Sequence, residues 1–132
     1  ENMKSYRDLI VWQKSVEMVT HVYKLLNAFP EDEKFGLTSQ IKRSSISISS
    51  NIAEGYGRNY TKDYSRFLNI ARGSLFEMQT QFQIAQHLNF INENDLTTIN
   101  DLSVEIEKML NSLINKSTLE LSVRRDGIIQ KE

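Results

Sequence analysis

The chain has 132 residues, of which 39% are hydrophobic and 25% are charged, with one proline, five glycines and no cysteine. This length is enough for one domain with a sizeable core, and the absence of cysteine excludes disulfides and thiolate catalysis and fits a reducing cytoplasm. A formal net charge of −1 gives no overall case for binding nucleic acid or a membrane surface. Because no apolar run approaches the ~20 residues of a membrane-spanning helix, we expect no membrane association.

The first predicted helix covers residues 6–28. Ser5 followed by Asp8 can form a capping box at its start, and Phe29 ends it because a residue before proline is disfavoured in helical conformation. The helix has two apolar stripes. One stripe is predicted to face the core: Leu9, Trp12, Val16, Val19, Tyr23 and Leu26. The other is predicted to contact another subunit or, as the alternative, to be buried centrally within one subunit: Val11, Met18 and Leu25.

The second predicted helix, residues 37–57, contains a cluster of serines and isoleucines that permits two interpretations. Residues 45–49 alternate like a β-strand, but a helical stripe extends over most of the segment, and its length favours a helix. The stripe consists of Ile41, Ser45, Ile48 and Ile52. A second apolar stripe, Ile46 and Ala53, predicts a central helix with neighbours on two sides.

The end of this helix is predicted to carry a structural motif: Asn51, Glu54, Gly55 and Gly57. The glycines are expected to close the helix, because glycine tolerates the left-handed conformation found at helix ends. Glu54 and Arg58 are four residues apart on one face. They form either an exposed ion pair or, with Asn51, a contact that fixes the junction between the second and third helices.

Two further helices and a tail complete the chain. The third helix is predicted at residues 61–88 with Thr61 as its N-cap, and the fourth at 93–115, where Asn92 and Asp95 repeat the capping pattern. Residues 117–132 are expected to be a mobile or self-packing extension. The predicted fold is therefore all-α, an antiparallel up-down four-helix bundle formed by residues 1–116.

Three segments resemble one known family, the 23S rRNA intervening-sequence proteins. They are YRDLIVWQKS at 6–15, GLTSQIKRSSISISSNIAEGYGR at 36–58 and FLNIARGSL at 67–75, and residues 50–57 are the most specific part. The resemblance implies a four-helix bundle. Similar proteins are accessory subunits of diversity-generating retroelements, and this implies a pentamer that associates with RNA and with a reverse transcriptase.

Basic residues are concentrated in one part of the chain. Residues 34–72 carry seven basic and two acidic side chains, whereas the segments on either side are net acidic. The predicted sites for RNA or DNA contact are Lys42, Arg43, Arg58, Lys62, Arg66 and Arg72. Because the second and third helices meet at a short turn, Arg58, Lys62 and Arg66 are expected to form the densest part of this patch. Tyr56 and Tyr60 lie among them and could stack on bases. The alternative is a solvated basic face without a ligand.

The sequence gives no support for an enzyme, a cofactor or a metal site. Glu17 and His21 are four residues apart on one helix, but two potential ligands on one helix are a weak signal, and we interpret them as surface residues. The alternative to nucleic-acid binding is a homo-oligomeric protein-interaction module. Its predicted interface consists of Val11, Met18, Leu25, Ile46, Ala53 and Phe76.

Overall fold

The computed structural model describes the backbone of residues 4–58 and 60–131, and the side chains of residues 4–58 and 60–123. Four α-helices account for most of this chain: α1 Ile10–Leu26, α2 Leu37–Tyr56, α3 Thr61–His87 and α4 Glu93–Lys131. Two short 3-10 helices, Tyr6–Asp8 and Glu31–Glu33, precede α1 and α2. The prediction of an all-α fold is confirmed, and residues 45–49 belong to a helix.

The helices form a four-membered bundle in which each helix packs against two others. α1 packs beside α2, α2 beside α3, α3 beside α4, and α4 beside α1, while the backbones of the diagonal pairs are farther apart over the described residues. Hydrogen bonds between α2 and α3 join Ser44 to Gln81 and Ser47 to Ser74, so the two helices run in opposite directions. Short turns between consecutive helices suit such neighbours.

The predicted stripe of α2 forms the centre of the core. Ile41, Ile48 and Ile52 are fully buried, and so is Ser45. The Ser45 hydroxyl donates a hydrogen bond to the Lys42 carbonyl of its own helix, which satisfies the polar group without a partner from another helix. A serine therefore occupies the core stripe at little cost, and the helical interpretation of the stripe is confirmed.

The orientation of α1 differs from the prediction. Val11 and Met18 are buried in the core of the single chain, whereas Val16 and Tyr23 are 37% and 38% exposed. Val11 and Met18 therefore follow the alternative, burial within one subunit, and the preferred prediction that they face another subunit is wrong for these two residues. The reason is Ser15, which lies in the buried stripe and donates its hydroxyl proton to a carbonyl of its own helix. A stripe identified by its apolar residues alone omits a buried serine, so the sequence pattern did not show this face as the buried one.

The helix ends follow the predicted caps in part. Ser5 and Asp8 form the capping box, but it caps the 3-10 turn, and α1 begins only after Leu9, which is extended. Thr61 is the first residue of α3 rather than its cap, because Tyr60 occupies the N-cap position. The side-chain oxygen of Asn92 accepts a hydrogen bond from the backbone N–H of Asp95 at 2.8 Å, as predicted.

The two glycines of the α2 end do not adopt the predicted left-handed conformation. Gly57 has φ −74°, and no described glycine has a positive φ. Gly55 is buried inside the helix, where a Cβ atom would lie 2.6 Å from the Cβ of Phe67. Gly55 is therefore needed for the close approach of α2 and α3 and not for a turn.

The fourth helix is longer than predicted, since it continues to Lys131 instead of ending near residue 115. Arg72 of α3 bonds to Asn111, and in antiparallel packing the next turns of α4 lie opposite the start of α3. Ile114 and Ser117 are buried in this region. The 27-residue α3 thus gives α4 a surface to pack on beyond residue 115.

Candidate functional site

A cluster of basic side chains lies at the turn between α2 and α3. Arg58 comes just after α2, and Arg66 lies two turns into α3. Their guanidinium carbons are 4.9 and 4.6 Å from the centre of one aromatic ring, that of Phe67. Because both cations contact the same ring, they are close to each other. The contact of Phe67 with both cations depends on how α2 packs against α3, and no local sequence pattern indicates it.

Two further features add positive charge to this cluster. Lys62 is exposed in the first turn of α3, and it makes no ion pair with any described residue. Tyr60 gives no side-chain hydrogen bond to the first N–H groups of α3, and no other described side chain caps them, so this helix end is suited to an anion. Asp63 in the same turn and Glu54, whose carboxylate is 2.9 Å from Arg58, partly offset the charge.

The other predicted basic residues lie elsewhere on the bundle. Arg43 pairs with Glu77 of α3 at 3.2 Å. Lys42 points towards α1, with its ammonium 5.2 Å from the centre of the Tyr23 ring. Arg72 is half-buried and donates hydrogen bonds to Asn69 and, at the α3–α4 contact, to Asn111. The six predicted residues therefore do not form one patch, and only Arg58, Lys62 and Arg66 lie together.

The two tyrosines predicted to stack on bases have different environments. Tyr56 is half-buried and packs edge-on against Tyr64, with ring centres 6.2 Å apart. Burial, and to a smaller extent Tyr56, raises the pKa of Tyr64 above its usual value of 10.0. Tyr60, by contrast, is 70% exposed. Of the two candidates, only Tyr60 presents a ring to solvent.

The predicted structural motif connects α2 to α3 through side chains. Asn51 donates to the carbonyl and the hydroxyl of Ser47, and the hydroxyl of Ser47 is 2.8 Å from that of Ser74 on α3. Arg58 bonds to Glu54 and also covers Phe67 of α3. The Glu54–Arg58 pair is exposed, and Arg58 also contacts the neighbouring helix; a role of Asn51, Glu54 and Arg58 in fixing the junction stays a prediction.

Four of the six predicted interface residues retain exposed surface: Leu25, Ile46, Ala53 and Phe76. Ile46 on α2 and Phe76 on α3 are each 43% exposed. Ala53 is partly exposed on the same helix as Ile46, and Leu25 packs partly against the core. These outer faces of α2 and α3 are more apolar than solvation requires.

The opposite end of the bundle is acidic. The turn between α1 and α2 contains Glu31–Glu33, and the first turn of α4 carries Glu93 and Asp95. The ring centres of Phe29, in the first of these turns, and Phe90, just before α4, are 5.5 Å apart. The two acidic segments therefore lie at the same end of the bundle. A polyanion would be attracted to the basic cluster and repelled by this end.

Similarity to known proteins agrees with this architecture. The model of the family described as 23S rRNA-intervening sequence protein matches residues 7–112. The chain belongs to this family. A solved structure from Bacteroides thetaiotaomicron, described as a protein with unknown function from the S23 ribosomal protein family, is 30% identical with a TM-score of 0.74. The similarity covers 80% of this chain and 98% of that one. No curated protein matches.

In this 23S rRNA-intervening sequence protein, the family match includes the basic cluster and ends before the last turns of α4. Within the described residues, no group of three or more histidine, cysteine, aspartate or glutamate side chains is arranged to hold a metal ion. None of the helices has a stretch both long and apolar enough to span a bilayer, over the part of the chain that the structure describes.

Proposed function

We propose that this protein is a non-enzymatic scaffold that binds RNA or DNA through the basic cluster Arg58, Lys62 and Arg66. The convergence of Arg58 and Arg66 on Phe67 is the observation that carries the proposal. A ring on which both guanidinium groups rest holds them in place, and this lowers the entropy that they lose when they bind a phosphate. Neither Arg66 nor Lys62 pairs with an acid among the described residues.

The expected contacts are to the phosphate backbone. Arginine binds phosphate with two parallel N–H donors, and the free N–H groups at the start of α3 are suited to the same anion. Such contacts position a strand without reading its bases, so sequence preference should be weak. Three cations per chain can make only a few phosphate contacts. A homo-oligomer would present the same cluster once in each subunit and so increase the number of contacts.

The test is fluorescence anisotropy with a labelled RNA at salt concentrations from about 50 to 200 mM. Binding by the wild type should weaken steeply with salt because of counterion release. The triple variant Arg58→Ala, Lys62→Ala, Arg66→Ala should flatten the log–log slope by about 0.7 to 0.9 for each phosphate that the protein no longer neutralises. Circular dichroism should show an unchanged helical fold.

A matched control removes three exposed lysines outside the cluster: Lys24→Ala, Lys34→Ala and Lys108→Ala. This control has the same net charge as the first variant. A smaller loss of binding in the control would assign the effect to the cluster and not to overall charge. Wild-type protein that shows no salt-dependent retention of RNA or DNA at low ionic strength would overturn the proposal.

A second function, that of a homo-oligomeric interaction module, is supported by the exposed Ile46 and Phe76. Large apolar side chains on the outer faces of adjacent helices are typical of surfaces that dock on protein. The resemblance makes a pentamer the preferred assembly and a reverse transcriptase a possible partner class, and both stay predictions. Docking of this kind should depend little on salt, unlike phosphate binding.

Light scattering after size exclusion measures this assembly. The variant Ile46→Asp, Phe76→Asp should dissociate an oligomer, because a buried unpaired carboxylate is costly at an apolar contact. Val104→Asp is the control, since Val104 on α4 is also 43% exposed. A wild-type protein that is monomeric at micromolar concentration would exclude this function.

A further inference from the structure

We infer that the nucleic acid bound at the basic cluster is single-stranded and that one unpaired base stacks on Tyr60. This inference rests on the proposed function and adds the class of ligand. Tyr60 lies between Arg58 and Lys62 in the sequence, in the turn that joins α2 to α3. Tyr60 is 70% exposed, so an aromatic side chain is available to a ligand beside these two cationic residues in the chain.

Side-chain contacts tie together the end of α2 and the start of α3 on either side of Tyr60. Tyr56 at the end of α2 packs against Tyr64 in the first turns of α3, and Arg58 rests on Phe67. Gly55 lets the two helices come together directly beneath the turn. A ring whose support is already ordered loses little freedom when a base stacks on it.

The ligand class follows from what such a ring can contact. In a duplex the faces of the bases are covered by their stacked neighbours, so an exposed tyrosine can contact the backbone or a base edge but has no free base face to stack on. In a single strand the bases are free, and stacking of each base on an aromatic side chain is tolerant of sequence.

Two RNA probes of the same sequence, one single-stranded and one in a blunt duplex, distinguish these cases by anisotropy. Tyr60→Ala should weaken single-strand binding by about 5- to 100-fold and leave duplex binding within about twofold. Tyr60→Phe keeps the ring and should bind like the wild type. A third probe with abasic sites keeps the phosphates without bases, and Tyr60→Ala should leave its binding unchanged.

Tyr23→Ala is the matched control, because Tyr23 is an exposed tyrosine near a lysine on another face of the bundle. The inference is overturned if Tyr60→Ala leaves single-strand binding unchanged, or if it weakens duplex and single strand equally, while the triple charge variant still flattens the salt dependence. Failure of the proposed function itself would look different, because the wild type would then bind none of the probes.

Discussion

A Cβ atom on Gly55 would lie 2.6 Å from the Cβ of Phe67, so the contact between α2 and α3 has no room for a side chain at this position. The Cβ of Phe67 is fixed to the backbone of α3 and cannot move away by rotating. Any larger residue at position 55 must therefore displace one helix relative to the other. The same contact carries the basic cluster, since Arg58 and Arg66 both rest on the ring of Phe67.

We expect Gly55→Ala to destabilise the protein by about 1 to 3 kcal/mol, because overpacking outweighs the better helix propensity of alanine. Gly73→Ala is the control. Gly73 lies inside α3, and an added Cβ there would meet no atom within 4 Å, so this change should stabilise by about 0.5 to 1 kcal/mol. Urea denaturation measures both values. If Gly55→Ala and Gly73→Ala changed the free energy of unfolding equally, the close contact between Gly55 and Phe67 would be contradicted.

The corrected orientation of α1 can be tested with two truncations. Met18→Ala should cost about 2 to 5 kcal/mol, because Met18 is fully buried and a cavity would remain. Val16→Ala should stay within about 0.5 kcal/mol of the wild type, since Val16 is exposed. Thermal unfolding compares them. If Val16→Ala destabilised the protein more than Met18→Ala, Val16 would face the core, as the sequence pattern predicted.

The Ser47–Ser74 hydrogen bond should couple α2 to α3 energetically. A double-mutant cycle with Ser47→Ala and Ser74→Ala should give an interaction energy of about 0.5 to 1.5 kcal/mol, because each hydroxyl loses a partner when the other is removed. Ser49→Ala is the control, since the Ser49 hydroxyl bonds to a carbonyl of its own helix. Additive effects of the Ser47 and Ser74 changes would show that the bond contributes no coupling.

Stability at high pH should depend on Tyr64. Its pKa is raised by burial and then by Tyr56, so the folded protein holds this proton more tightly than the unfolded chain. The stabilisation is fully present below the usual pKa of 10.0 and is lost as the pH rises above it. Tyr64→Phe should therefore lose less stability than the wild type above pH 10, measured by denaturation at several pH values. Parallel stability curves of Tyr64→Phe and the wild type above pH 10 would contradict this effect of burial.

Several features could be predicted from the sequence because they depend on local spacing. The stripe of Ile41, Ser45, Ile48 and Ile52 has a helical period over most of its segment, and any packing of this helix must bury it. The caps at Ser5 and Asn92 form between residues three apart, and they need no contact with the rest of the fold. The fold class followed from the helices and their short connections.

Other features were decided only when the four helices packed together. On α1 two stripes are apolar, and the positions of α2 and α4 determine that Val11 and Met18 are buried while Val16 is exposed. Lys42 and Arg72 lie on the predicted helices but face α1 and α4, away from the basic cluster. The proximity of Arg58, Lys62 and Arg66 was predicted from the short turn between α2 and α3. That Arg58 and Arg66 both rest on the ring of Phe67 was decided by the packing of α2 on α3, which local sequence does not encode.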